Sequence, residues 1–99
     1  MEHHPYITLP DETEITYSDL KFDDNGNEYV VIYFETPSEE FGFCDASVRF
    51  PEGELITQHH YTEEKLKELM HHYKKIGAMV MSFVKEENLS MNDCIMEET

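Results

Sequence analysis

The sequence predicts an α+β fold: a four-stranded antiparallel meander packed against one long C-terminal helix, plus a short acidic tail. Three observations predict this fold. Short apolar runs separated by turn residues fill the first 60 positions, an Asn-Gly pair joins two of these runs, and an apolar stripe of helical period follows Thr62. A chain of 99 residues has the length of one domain, which we place at residues 1–88, and the tail occupies 89–99.

The first two strands are predicted from apolar runs on either side of a tight turn. Residues 1–13 are expected to be an extended entry segment, because two prolines exclude a helix there. Residues 15–22 form the first predicted strand, and its alternation changes face near Ser18, which indicates a β-bulge. The Asn25-Gly26 pair is a strong signal for a hairpin turn. The return strand, 28–36, is apolar on both faces and is therefore predicted to be central.

Two further strands complete the predicted meander. Residues 41–50 alternate apolar and polar side chains, with Cys44 on the apolar side. A Pro-Glu-Gly-Glu turn at 51–54 leads into a short fourth strand at 55–60. Short turns join all four strands, so consecutive strands are expected to be antiparallel neighbours.

The helix is predicted to run from about Thr62 to Lys85. Thr62 is the expected N-cap, and the acidic residues at 63 and 64 suit the positive end of the helix dipole. Asn88 is a candidate left-handed stop. One apolar stripe contains Leu66, Leu69, Met70, Tyr73, Ile76, Gly77, Val80 and Val84.

The charge of the chain is strongly acidic and unevenly distributed. The formal net charge is −15, from 22 acidic and 7 basic residues. Residues 1–58 carry −12, residues 59–85 carry +2, and residues 86–99 carry −5. Self-repulsion on this scale weakens the compact state, so it must be tolerated for some reason. An acidic body joined to one locally basic segment therefore constrains which partners the protein can bind.

Composition also excludes several classes of protein. Direct nucleic-acid binding is not expected, since it needs clustered Lys and Arg. No apolar run reaches 18 residues, so no membrane span is predicted. The first residues have no basic region followed by an apolar stretch, so we expect no secretory signal. Cys44 and Cys94 are too few for a disulfide scaffold, and these features together predict a cytoplasmic protein.

No catalytic, metal or cofactor site is predicted, and we expect a non-enzymatic protein. Histidine pairs begin at His3, His59 and His71, but adjacent histidines point in different directions on a strand or a helix. Cys44 lies on a predicted core face in an acidic region, which does not activate a thiol. No Gly-rich phosphate loop or GxSxG motif is present. The less favoured alternative is a metal-binding protein that uses His59, His60, His71 or His72.

Acidic side chains in the predicted turns of the sheet predict a protein-binding surface. A rigid scaffold that presents spaced carboxylates complements a basic surface and raises the rate of association. In size and charge the chain resembles phage-encoded inhibitors, bacterial antitoxins and immunity proteins, which implies a module that masks a basic partner protein. The predicted partner-binding residues are Asp23, Asp24, Glu39, Glu40, Glu52 and Glu54.

The second half of the predicted helix, residues 76–84, is apolar nearly all round. A helix of this kind needs cover on more than one side. One interpretation is a homodimeric α+β domain of unassigned housekeeping role, with a dimer interface formed by Gly77, Met79, Met81 and Phe83. The other is that the C-terminal tail folds back over these residues through Leu89, Met91 and Ile95.

Overall fold

The structure has the predicted α+β architecture, an antiparallel sheet packed against one C-terminal helix. The computed structural model describes the backbone of residues 3–97 and the side chains of residues 3–86. In chain order, that part of the protein contains β1 (His4–Thr8), β2 (Glu14–Tyr17), β3 (Lys21–Phe22), β4 (Glu28–Ser38), β5 (Gly42–Phe50), β6 (Glu54–His59) and α1 (Glu63–Glu97).

The strands form one antiparallel sheet with β4 near its middle, as its two apolar faces predict. The order is β1-β2-β4-β5-β6, and β3 pairs with the beginning of β4. The longest ladder joins β4 to β5 and runs from Val30 opposite Phe50 to Ser38 opposite Gly42. Because successive side chains alternate across a strand, one side of the sheet meets α1 and the other, which we call the open face, does not.

Over the described backbone, the sheet has six strands rather than the predicted four. Part of the expected entry segment forms β1, and the predicted strand 15–22 is divided into β2 and β3. The division is the expected bulge, because residues 18–20 lie opposite only Val30 and Val31. Ser18 is 1% exposed, and its hydroxyl accepts a hydrogen bond of 2.9 Å from the backbone N–H of Val31. The buried hydroxyl therefore replaces a ladder partner that the bulge removes.

The core lies between the helix side of the sheet and one stripe of α1. The buried positions of the sheet alternate along the strands, and those of the helix recur at three or four residues. The sheet contributes Ile15, Val30, Ile32, Phe34, Ala46 and Val48, and the helix contributes Leu69, Tyr73, Ile76, Val80 and Val84.

A chain of three hydroxyl groups connects the entry loop, the sheet and the segment before the helix. The Thr13 hydroxyl lies 2.7 Å from that of Thr36, which lies 2.8 Å from the Tyr61 hydroxyl. Thr13 is 0% exposed and Tyr61 is 8% exposed. Each buried hydroxyl therefore finds a polar partner inside the protein.

The helix begins where the sequence predicts and ends later. The Thr62 hydroxyl accepts a hydrogen bond of 3.2 Å from the backbone N–H of Lys65, which is the expected N-cap contact. The backbone continues past the expected end at Lys85 to Glu97. The predicted tail, 89–99, is thus helical to residue 97, and its side chains lie outside those that the structure describes. Within the described residues, no helix combines the length and the apolar character needed to cross a membrane.

Candidate functional site

The open face of the sheet is the candidate site, because α1 leaves it uncovered and the strand register arranges its side chains in rows. Residues paired across neighbouring strands point to the same face. Glu14 lies opposite Glu35, Glu35 opposite Asp45, and Asp45 opposite His59. These pairs form one row of side chains across β2, β4, β5 and β6.

Three carboxylates of this row are neighbours; we call Glu14, Glu35 and Asp45 the acidic row. Adjacent strands are about 4.8 Å apart, so each carboxylate begins about that far from the next. Glu14 and Glu35 are exposed, and Asp45 accepts a bond of 2.8 Å from the imidazole Nδ1 of His59 when that nitrogen is protonated. Among the described residues, Glu14 and Glu35 form no ion pair with a lysine or arginine. The centre of the row is therefore uncompensated negative charge.

A polar and aromatic row lies beside the acidic row. The ring of His3 stacks on that of Tyr33 with centroids 3.6 Å apart, and burial raises the pKa of the Tyr33 hydroxyl. The hydroxyls of Ser47 and Thr57 are 2.7 Å apart. Together with the acidic row, these residues line a groove of about 520 Å³. The groove is thus negative along one side and polar along the other.

Arg49 lies at the other end of the open face and is already engaged by its own chain. Its guanidinium carbon lies 3.8 Å from the centroid of the Tyr29 ring. Arg49 also forms ion pairs with Asp23, at 3.3 Å, and with Glu52. The pKa of Asp23 is lowered first by the backbone N–H of Asn27, and the Arg49 charge adds to this. Arg49 therefore stabilises two turns and neutralises part of their charge.

The structure separates the six carboxylates predicted for partner binding into two groups. Asp23 and Asp24 lie in the turn before β4, and Glu52 and Glu54 lie next to the end of β5 that faces this turn. Glu39 and Glu40 lie in the turn at the far end of the same ladder, about 26 Å away along the strands. The structure does not bring all six into one surface.

Sequence reasoning missed the acidic row. The sequence places Glu35 and Asp45 in predicted strands, with Asp45 among the polar side chains that alternate along 41–50. The missing information was the register, since only the pairing of β2, β4 and β5 shows that the three carboxylates are neighbours. The alternation of β5 together with a β4–β5 hairpin would have indicated the pair Glu35 and Asp45.

The predicted dimer residues differ in their surroundings. Met79 is 49% exposed and Phe83 is 38% exposed, whereas Met81 is half-buried. Gly77 is buried against Phe50 of its own sheet, where an added Cβ would lie 2.2 Å from a ring carbon. The backbone approach that the glycine allows is thus made within the chain. Residues 89, 91 and 95, which were expected to cover this patch in the alternative interpretation, have side chains outside the described part.

The histidines form contacts with neighbouring side chains. His4 lies 2.5 Å from a carboxylate oxygen of Asp19, and the His60 ring stacks on Phe41 at 4.1 Å. His71 and His72 lie edge to face on the exposed side of α1. In the described part of the chain, no three His, Cys, Asp or Glu side chains are grouped in a way that could hold a metal ion.

Comparison of the chain with protein-family models, with curated proteins and with solved structures finds no match.

Proposed function

We propose that the protein is a small non-enzymatic binding module whose acidic row engages a basic surface of a partner protein. The observation that carries this proposal is the placement of Glu14, Glu35 and Asp45 directly opposite one another on an uncovered sheet face. Masking of a basic surface in this way is the activity of an inhibitor, an antitoxin or an immunity-like protein.

The cost of the acidic row supports the proposal. Like charges directly opposite each other on a sheet are destabilising by roughly 0.2–1 kcal/mol per pair. Two such pairs share Glu35, and the single imidazole contact of the row is at its far end, on Asp45. A lysine or arginine of a partner would replace this repulsion with attraction, so binding recovers energy that folding loses.

The acidic row is also better suited to a partner than the predicted turn carboxylates are. Asp23 and Glu52 are paired with Arg49 inside the chain, so they present less charge to a partner. Glu39 and Glu40 lie in a turn rather than on a flat face. We therefore assign the row the main role and the turn residues a supporting role in the surrounding negative potential.

The proposal is tested by affinity capture with three baits, followed by titration of the captured protein. The first bait is the wild-type chain. The row variant carries Glu14→Gln, Glu35→Gln and Asp45→Asn. The control variant has the same change in net charge, through Glu63→Gln, Glu64→Gln and Glu86→Gln at exposed positions of α1.

We expect wild type and control to retain the same basic protein and the row variant to bind it at least about tenfold more weakly, which is about 1.4 kcal/mol. Binding by wild type should weaken steeply as salt is raised, because exposed charges are screened. Equal binding by the row and control variants, or binding that ignores salt, would contradict the proposal.

A homodimer is the second candidate, and the exposure of Met79 and Phe83 favours it. The test is sedimentation of wild type against Met79→Glu and Phe83→Glu, with Ala78→Glu, which is also at an exposed helix position, as the control. We expect Met79→Glu and Phe83→Glu, but not Ala78→Glu, to lower the molecular mass of the sedimenting species from dimer to monomer. The same mass for wild type and all three variants would contradict a dimer interface at these residues.

We propose a cytoplasmic location, and the state of Cys44 supports it. Among the side chains that the structure describes, Cys44 has no disulfide partner; its half-buried thiol donates a hydrogen bond to the backbone carbonyl of His60 at 3.6 Å. Unpaired cysteines are typical of reducing compartments.

A further inference from the structure

Strand β6 is an exposed edge of the sheet. All six of its residues, Glu54–His59, are exposed, and among residues 3–97 it pairs with β5 along one side only. Two of its apolar side chains are accessible, Leu55 at 41% and Ile56 at 50%. The helix packs mainly on β4 and β5, so it does not cover β6. An uncovered edge strand presents unpaired backbone N–H and C=O groups that can pair with another chain.

The opposite edge of the sheet is protected, and β6 is less so. In β1, Pro5 has no backbone N–H, and the register is irregular between Pro5 and Ile7. Both features discourage the addition of a strand. β6 contains no proline or lysine and has one irregularity opposite Ser47 and Val48. The sheet can therefore be extended more readily at β6.

The two faces of the β6 edge have different chemistry. Leu55 lies opposite the core residue Val48 and so points to the helix side. Glu54 lies opposite Arg49 and His59 lies opposite Asp45, so both point to the open face. A strand added beside β6 would therefore meet Leu55 on the helix side. On the open face it would meet the Glu54 carboxylate, the His59 imidazole and Ile56, which lines a pocket with Arg49 and Glu54.

We propose that β6 accepts an extended segment of the basic partner as a seventh strand, with basic residues toward the open face and apolar residues toward the helix side. This inference rests on the proposed function and adds that the basic partner binds through an extended segment. Alternation of basic and apolar residues matches the period of two of a strand, and backbone hydrogen bonds along the edge supply affinity.

Charge favours this occupant over a second copy of the chain. Each copy carries a formal net charge of −15, and pairing of two β6 strands brings two acidic open faces into one sheet. A basic segment places opposite charge beside Glu54, and its long side chains extend toward the end of the acidic row at Asp45. The edge and the row then form one continuous binding surface.

The probe is a synthetic peptide of about eight residues that alternates lysine and valine, long enough to span β6. Two control peptides have the same residues, one in blocks of lysine and valine and one with methyl groups on alternate backbone nitrogens. The measurement is amide hydrogen exchange of the full chain, residue by residue, with affinity measured in parallel.

We expect the alternating peptide to slow exchange of amides within 54–59 by at least about tenfold, and both control peptides to bind more weakly. Leu55→Ser should weaken binding of the alternating peptide a few-fold, since it removes the apolar contact on the helix side. Because Leu55 is exposed, this variant should keep the wild-type fold, which circular dichroism checks.

Three results would overturn the inference: no binding up to about 1 mM peptide, binding without protection of β6, or protection of β6 by self-association in the absence of peptide. The proposed function is tested separately, by the affinity of the row variant for the alternating peptide. If the row variant binds the peptide more weakly than wild type and β6 stays unprotected, the proposed function is supported and strand addition at β6 is contradicted. If β6 is protected and the row variant binds the peptide as wild type does, strand addition at β6 is supported and the role of the acidic row is contradicted.

Discussion

Replacement of Gly77 by alanine should destabilise the protein, although alanine is the better helix former. Gly77 lies in the middle of α1 beneath the ring of Phe50. A Cβ at this position would lie 2.2, 2.6 and 2.8 Å from three ring carbons, where ordinary contacts are 3.4–4 Å. The ring must therefore move by more than 1 Å, and the edge contact with Tyr73, at 5.8 Å between centroids, opposes this movement.

The magnitude follows from two opposing effects. Overpacking of a filled core costs typically 1–3 kcal/mol, and the depth of this overlap places Gly77→Ala near the upper end, at about 3 kcal/mol. The change from glycine to alanine inside a helix contributes about 1 kcal/mol of stability. The expected net loss in the free energy of unfolding is therefore about 2 kcal/mol.

The assay is urea denaturation followed by circular dichroism, with the slope of the transition checked against wild type. Ala78→Gly is the matched control, because Ala78 is adjacent and exposed, and its loss of about 1 kcal/mol reflects helix propensity alone. In a Phe50→Ala background, Gly77→Ala should cost less by at least about 1 kcal/mol. If Gly77→Ala stabilises the wild-type chain by about 1 kcal/mol, the Phe50 ring does not lie over the glycine and the reasoning is refuted.

Three further predictions concern charge, pH and a part-buried hydrogen bond. Glu35→Gln should raise the free energy of unfolding by about 0.5–1 kcal/mol in low salt and by less in high salt, because it removes the repulsion from two like-charged neighbours. Glu39→Gln, the control, should change the free energy of unfolding little. Equal effects of the two substitutions would contradict the repulsion inferred within the acidic row. The Lys65 side chain and, after it, hydrogen bonds from Thr13 lower the pKa of Asp11 from 3.8 to about 2, so Asp11 stabilises the fold above pH 3.8 and loses this contribution as the pH falls through 2. Asp11→Asn should therefore cost up to about 1 kcal/mol near neutral pH, the carboxylate being 43% exposed, and the difference from wild type in urea denaturation should close in acid; a difference independent of pH would count against the ion pair. Tyr73→Phe removes the 2.8 Å hydrogen bond to the backbone carbonyl of Arg49 and should cost about 1–2 kcal/mol in the same assay, whereas no loss would show that this bond contributes nothing.

Local chemistry made the hairpin, the bulge and the start of the helix predictable. Gly26 has a φ of 83°, which its tight turn requires and glycine adopts without strain. The bulge was indicated by the change of face near Ser18, and the helix start by the capping hydroxyl of Thr62. Each of these signals acts over a few residues, so the sequence displays it directly.

Features that depend on distant residues were not predictable in the same way. β1 contains Pro5, which argues against a helix but is compatible with an edge strand, where a backbone N–H can be dispensed with. The stop predicted at Asn88 is wrong, since the helix continues through it to Glu97. The acidic row exists only because three separate strands pair in one register, and that register is set by burial of the opposite face.

The hydroxyl chain of Thr13, Thr36 and Tyr61 has a consequence for the evolution of this protein. Loss of the middle hydroxyl, on Thr36, removes this partner from the buried hydroxyls of Thr13 and Tyr61, at a cost of about 1–3 kcal/mol, whereas replacement of interacting partners together by apolar groups of similar shape can be nearly neutral. Natural variants that lose the Thr36 hydroxyl should therefore also exchange Thr13 and Tyr61. Positions 13, 36 and 61 are expected to covary although they are 23 and 25 residues apart along the chain.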